Sequence, residues 1–164
     1  MNTPLRRTGY DWVLEILAFL GLLGVFFPLC FWGQLNSQHL IPIHYNLHGQ
    51  VDGWGNRSDL LILALIALLL YLGLFFSEKF YKKFNYPVRV TDGNADTLYR
   101  LAVRMVRHLK FPVMFIFAYL NISSLRTALG EGPGISGGIM GALVVCLFII
   151  LIYFYARMMT CRDM

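Results

Sequence analysis

Long apolar blocks alternate with polar, glycine- and proline-punctuated stretches along this chain, and that alternation predicts its elements. An α-helix rises 1.5 Å per residue and a bilayer core is about 30 Å thick, so about 20 apolar residues suffice to cross it. The first block, residues 12–32, meets that length and is bracketed by Trp12 and Trp32, the residue type that anchors spans at the membrane interface. The others are residues 60–76, almost pure Leu, Ile and Ala, then 111–127 and 139–156. The third turns polar at Asn121, Ser123, Ser124 and Arg126. Pro28 deprives the Gly24 carbonyl of its helical partner and predicts a kink near the end of the first span. Glu15, one turn inside that span, either snorkels to the interface, finds a local basic partner or belongs to a polar site. The expected fold is an all-α membrane protein: a four-transmembrane-helix bundle forming one domain over residues 1–164.

A shorter amphipathic helix is predicted between the second and third blocks, over residues 94–109, with Asp92 or Asn94 as its cap. Leu98, Leu101, Met105 and Leu109 recur at helical spacing, and Arg100, Arg104 and Arg107 form a basic stripe beside them. That pattern suits a helix lying on an anionic leaflet, or one docking a cytoplasmic partner. Pro112 is expected either to separate it from the third span or to sit in that span's first turn.

The segment between the first two spans, residues 33–59, is where the candidate chemistry lies. Ile41 to Tyr45 is β-branched and aromatic enough for a short strand, Asn46 and Gly49 suit the first and fourth positions of a turn, and Val51-Asp52-Gly53-Trp54 reads as the returning arm of a small hairpin or compact loop held against a membrane surface. Asn56 and Asp59 resemble a helix-start capping box. In such a hairpin His44 would lie near Asp52, since cross-strand neighbours on one face have Cβ atoms about 4.5–5.5 Å apart. Three roles for the pair stay open: pinning the loop, binding a metal such as zinc with His39 or His48 as a third ligand, or acting as a general acid–base pair without an accompanying nucleophile. Ser58 is better placed to start the next helix. The polar groups Asn121, Ser124 and Arg126 need partners, which the loop could supply by folding over the bundle, with Asp52 ion-paired to Arg57 or Arg126.

Pro42, His44, Asn46, Gly49, Asp52, Trp54 and Gly55, in the order Ile-Pro-x-His-Tyr-Asn-x-x-Gly-x-x-Asp-Gly-Trp-Gly, also carry a resemblance. This segment resembles the signature of a family of uncharacterised bacterial membrane proteins, whose module forms the N-terminal part of SdpI-type bacteriocin immunity proteins. Asn56-Arg57 stands where that pattern has Ser-Lys, and Arg57 keeps the positive charge. The resemblance implies a binding and protection role, engaging a peptide toxin or a lipid at the outer leaflet. His44, Asn46, Gly49, Asp52, Trp54, Gly55 and Arg57 would be its ligand-binding or loop-organising residues.

Composition agrees with a membrane protein: 57% of residues are hydrophobic and 14% charged, against about 45–50% and 25% in soluble domains. The net charge of +5 does not point to nucleic acid. Its basic residues concentrate between the second and third blocks, where the positive-inside rule accounts for them. Under that rule both termini and the second loop are cytoplasmic and the motif loop faces outward. Cys30, Cys146 and Cys161 show neither disulfide nor zinc spacing. The first block is too long for the core of a signal peptide. Gly137 and Gly141, four apart, would permit close helix approach, including between copies of the chain. The competing function classes are thus an immunity-like binding protein of the cell membrane, a metal-dependent membrane enzyme using His44 and Asp52, and a subunit of a larger membrane complex.

Overall fold

Thr8 and Asp11 set the start of the first helix. In the computed structural model, which describes residues 6–35, 40–46, 48–132 and 134–162, the Thr8 hydroxyl accepts from the Asp11 N–H while the Asp11 carboxylate accepts from the Thr8 N–H, a reciprocal capping box. Helix α1 (Gly9–Phe26) runs from there until Pro28, which has no N–H to give. The chain tightens at that point into a 3-10 segment, Phe27–Gln34, in place of the expected simple kink. Two strands follow, β1 (Ile41–Tyr45) and β2 (Val51–Gly55), then α2 (Ser58–Ser77) with a short 3-10 extension, Glu78–Lys83. Helices α3 (Ala95–Ala128) and α4 (Gly137–Met159) complete the order.

Three of these segments are long and apolar enough to cross a membrane: Gly9–Gln34, Ser58–Lys83 and Gly137–Met159. The protein is mostly helical, and α3 is the helix that all the others touch. The expected surface helix over residues 94–109 and the third apolar block are one continuous element of 34 residues, about 51 Å long. Pro112 lies inside it without ending it. Its missing N–H leaves the His108 carbonyl without a helical donor, but its ring tolerates helical φ.

The stripe read as lipid-facing is instead packed on protein. Leu98 is fully buried against Phe154, Met158 and Cys161, and Leu101 and Met105 join it with Phe84, Tyr86 and Val88. Asn94, expected as a simple cap, is also buried. Its amide donates to the Arg89 and Cys161 carbonyls and its oxygen accepts from the Thr91 N–H, which ties the helix start to the chain's last turn. Among Arg100, Arg104 and Arg107, the first two are exposed, and Arg100 pairs with Asp96 one turn away. Arg107 is only 2% exposed. It occupies the same side of α3, but the first turns of α1 and the end of α2 cover that level, so it meets carboxylates rather than solvent.

Those carboxylates belong to a buried ionic cluster. Lys110 is 0% exposed and donates to Glu15 of α1 at 2.6 Å and to Glu78, just beyond α2, at 2.7 Å. Arg107 Nε reaches Glu78 at 2.9 Å and its terminal nitrogen reaches Asp11 at 3.2 Å. Arg7 lies 3.2 Å from Glu15, and the Tyr71 hydroxyl of α2 donates to the same carboxylate at 2.7 Å. Three acids therefore face three cations, and α1, α2 and α3 are joined at one level. Glu15 consequently has both a local partner, Arg7, and a distant one.

The same three helices pack through small side chains farther along. Ala18, Ala64, Ala67 and Ala118 are buried, and a Cβ on Gly21 or Gly24 would meet Met114, Phe115 or Ala118 at 2.9–3.2 Å. Such close approach maximises dispersion contacts where hydrophobic transfer contributes little. Helix α4 differs. It packs on α3 mainly through Phe154 and Met158, while Val145, Phe148, Ile149 and Ile152 face outward. A Cβ at Gly137 or Gly141 would meet nothing within 4 Å, so no described residue uses that small-residue pair.

Removing one member of a buried ion pair strands the other's charge, at about 3–5 kcal/mol. An exposed pair one helical turn apart is worth only about 0.3–0.5 kcal/mol. Lys110→Met is therefore expected to lower the stability of the detergent-solubilised protein by several kcal/mol. Arg100→Gln should change it by less than 1 kcal/mol, and comparison of their denaturant unfolding curves checks the difference.

Candidate functional site

The polar segment between α1 and α2 is a two-stranded antiparallel hairpin folded onto the bundle end opposite the ionic cluster. Ile41 pairs with Gly55, Pro42 with Trp54, His44 with Gly53 and Tyr45 with Val51. That register leaves Ile43 and Asp52 without a Cα partner, one bulge in each arm. Bulges re-aim side chains, and here Asp52 turns onto His44, with carboxylate oxygen and Nδ1 2.5 Å apart. The side chains of the pair are 72% and 43% exposed, respectively. Solvent screening limits such a pair to about 1 kcal/mol or less.

Asn46 builds the turn. Its side-chain oxygen accepts from the backbone N–H groups of His48 and Gln50, and its carbonyl accepts from Gly49. This is the competition with regular backbone pairing that makes Asn a turn residue. Gly49 has φ +78°, and a Cβ on it would collide with the Ile135 carbonyl. Its own carbonyl accepts from the Ile135 N–H at 3.1 Å, and a Cβ on Gly134 would collide with that carbonyl in turn. The hairpin tip is thereby interlocked with the segment leading into α4, a contact for which the sequence carried no signal beyond its glycines. Gly53 and Gly55 answer to space as well: a Cβ on Gly53 would lie 2.8 Å from that of His44, and one on Gly55 would strike the Asp59 carboxylate.

That carboxylate accepts from the Asn56 N–H at 2.6 Å, which is one half of the expected capping box. The Asn56 backbone carbonyl, rather than its side chain, takes the Asp59 N–H. Arg57 donates to the Leu35 carbonyl and lies over the Trp32 ring. Arg126 contacts the Glu131 carbonyl. The expected ion pair of Asp52 with Arg57 or Arg126 is thus replaced by His44. Trp54, Ile43 and Leu40 are exposed.

Two polar residues of α3 receive the hairpin and the neighbouring helix ends. Ser124 donates to the Pro42 carbonyl at 2.9 Å, so its oxygen is left to accept from the Tyr45 hydroxyl at 3.0 Å. That donation needs a neutral phenol, and burial pushes the Tyr45 pKa up. Asn121 is 0% exposed. Its amide nitrogen donates to the carbonyl of Val25, in the last turn of α1, and to that of Leu60, in the first turn of α2. Two acceptors fix the amide's orientation, and its oxygen is buried without a partner among the described residues. An unmade hydrogen bond of this kind costs about 1–3 kcal/mol. Beside these residues, between β1, α2 and α3, lies a pocket of about 420 Å³ whose wall includes Ile43, His44, Asp59, Ile62, Ile66 and Asn121.

As a metal centre the site supplies two ligands. His48 contributes its backbone to the turn, and His39 lies outside the described residues. Among the described residues no three His, Cys, Asp or Glu side chains converge as ligands.

The architecture is that of a mostly helical protein with three membrane-competent helices and a docked polar hairpin between the first two. A family model described as a domain of unknown function, DUF1648, matches residues 19–68. The matched stretch spans the second half of α1, the whole hairpin and the first half of α2. No curated protein and no solved structure matches the chain.

Gly49→Ala introduces both an unfavourable φ and a collision, whereas Gly130→Ala, at φ +76° with nothing within 4 Å, introduces only the first. An alanine forced to positive φ costs upward of about 1 kcal/mol. Gly49→Ala should be the more destabilising by a further ~1 kcal/mol or more in thermal unfolding, the cost of overpacking. Equal losses would show that the tip is not docked on Ile135.

Proposed function

We propose that the chain is a multi-pass cell-membrane protein that binds a peptide or lipid ligand at the outer leaflet through its hairpin, in the manner of SdpI-type immunity proteins. The observation that carries this reading is the hairpin itself. It is anchored by Ser124, Arg57 and the Gly49–Ile135 contact, yet it leaves Leu40, Ile43 and Trp54 exposed beside the apolar surface of α2. A rigid mount with an exposed aromatic and two aliphatic groups suits recognition, because little ordering entropy is lost on binding. In this reading α3 makes the fourth crossing over residues 111–127, with α1, α2 and α4 around it. The basic residues Lys79, Lys82, Lys83, Arg89, Arg100 and Arg104 favour a cytoplasmic location for the opposite end. They can meet anionic lipid there through their exposed members.

Orientation and role are tested together. A cysteine at Gln50 is expected to react with an impermeant thiol reagent in intact cells, and one at Asn85 only after permeabilisation. In a bacterium sensitive to a membrane-active toxic peptide, expression of the chain should raise survival, and Trp54→Ala should abolish the gain at unchanged protein level. The reverse labelling pattern, or no gain from the parent chain against any peptide tried, would count against the reading.

A further inference from the structure

The pocket under the hairpin has a composition that selects among ligands. Its volume of about 420 Å³ is in the range of small-molecule sites, roughly 300–1,000 Å³. One side is built from Ile62, Leu63 and Ile66 of α2, of which Ile62 and Ile66 are also exposed on the helix's outward face. The pocket is therefore continuous with the surface that lipid chains would cover. The hairpin side is lined by Ile41, Pro42, Ile43, His44 and Tyr45, and Asp59, in the first turn of α2, adds a carboxylate beside it. Asn121 lies in the wall, with a buried amide oxygen that accepts from no described residue. Its nitrogen is committed to Val25 and Leu60, so the amide cannot rotate to relieve that oxygen. The wall thus offers a carboxylate, and among the described residues it includes no Lys or Arg. A ligand that fits carries an apolar chain and, at one end, a cationic hydrogen-bond donor.

We propose that this pocket holds one acyl chain of a bilayer phospholipid whose headgroup carries a primary ammonium, with the chain along Ile62 and Ile66 and the headgroup at the Asp59 and His44 end. The assignment rests on the reading of the hairpin end as a ligand-binding face and names its ligand. An ammonium has three donors and no acceptor, so it can meet the Asp59 carboxylate without competing for the donors already spent. A choline headgroup has the charge but no donor. A phosphatidylglycerol head has donors and a net negative charge, which Asp59 disfavours.

The test uses the full chain reconstituted in phosphatidylcholine vesicles containing a trace of phospholipid with a photoreactive diazirine in its acyl chain. The headgroup is ethanolamine in one arm, choline in a second and glycerol in a third. Crosslinks from the ethanolamine probe should concentrate on residues 59–66 and 120–124, in excess over the other two. Asp59→Asn keeps an acceptor for the Asn56 N–H but removes the charge. It should cut the preference by about tenfold, the worth of one hydrogen bond to a charged group. Leu63→Trp and Ile66→Trp fill the pocket without touching a hydrogen bond. Each should remove these crosslinks while leaving those on α4 in place, which also reports that the variant is folded and inserted. Equal yield from the three headgroups, or crosslinks spread along α1, α2 and α4 and unaltered by the filling variants, would overturn the assignment. So would displacement of the probe by a peptide but by no ethanolamine lipid. Toxin protection through Trp54 that persists without any headgroup preference would sink the lipid assignment alone. Headgroup-selective crosslinking without protection would support it and remove the protective role instead.

Discussion

A buried ammonium needs partners, and Lys110 obtains them from two other helices. Desolvating a charge costs several kcal/mol even after relaxation, so the Lys110 side chain is tolerable only where carboxylates and their own partners converge. Glu15 fixes the height of α1 against α3, and Glu78 fixes the end of α2 against both. Arg107, Asp11 and Arg7 then balance the charge. Such a cluster adds less to stability than an apolar core of equal volume would. Its effect is on register: sliding any of the three helices by one turn would strand at least one charge. The close packing at Gly21, Gly24 and Ala118 requires that same register.

With the helices set at one end, the last turn of α1 and the first turn of α2 bring two backbone carbonyls to α3 at a fixed spacing. Asn121 takes both, Val25 on α1 and Leu60 on α2, and one turn further along Ser124 takes the Pro42 carbonyl of the hairpin. The hairpin is thus placed by the bundle through side-chain-to-backbone bonds, and its tip is clasped by Ile135 ahead of α4. Its conformation comes from its own sequence. Asn46 and Gly49 make the turn, Gly53 and Gly55 give room to His44 and Asp59, and paired bulges bring Asp52 to His44. The pocket exists because the hairpin lies across α2 and α3 without filling the space between them.

Much of this was legible in the residue order because it depends on local periodicity. The apolar blocks gave the three membrane-competent helices to within a few residues, and the β-branched run, turn residues and glycines gave the hairpin. The proximity of His44 and Asp52 followed from arm lengths, although their meeting depends on bulges that strict alternation does not contain. What could not be read was set by distant contacts. Lys110 and Arg107 look like loop and surface charges when their neighbours in sequence are considered. Only Asp11, Glu15 and Glu78, up to 95 residues away, make them interior groups. The continuity of α3 was hidden by Pro112, whose usual helix-ending effect is overcome by packing on both sides. The apolar stripe of Leu98, Leu101 and Met105 was visible, but periodicity cannot distinguish a lipid surface from Phe154 and Met158.

The register of α1 against α3 is measured directly by a crosslink. A Cβ built on Gly24 lies 3.2 Å from that of Ala118, close to the roughly 3.5–4.5 Å span of a disulfide. In a chain with Cys30, Cys146 and Cys161 replaced by alanine, the pair Gly24→Cys and Ala118→Cys is expected to form a disulfide on mild oxidation in the membrane. Pairs moved one turn, Gly24→Cys with Met114→Cys or with Ile122→Cys, should form little. Preferential closure of either shifted pair, or none from the Gly24 and Ala118 positions, would contradict the register that the buried charges impose.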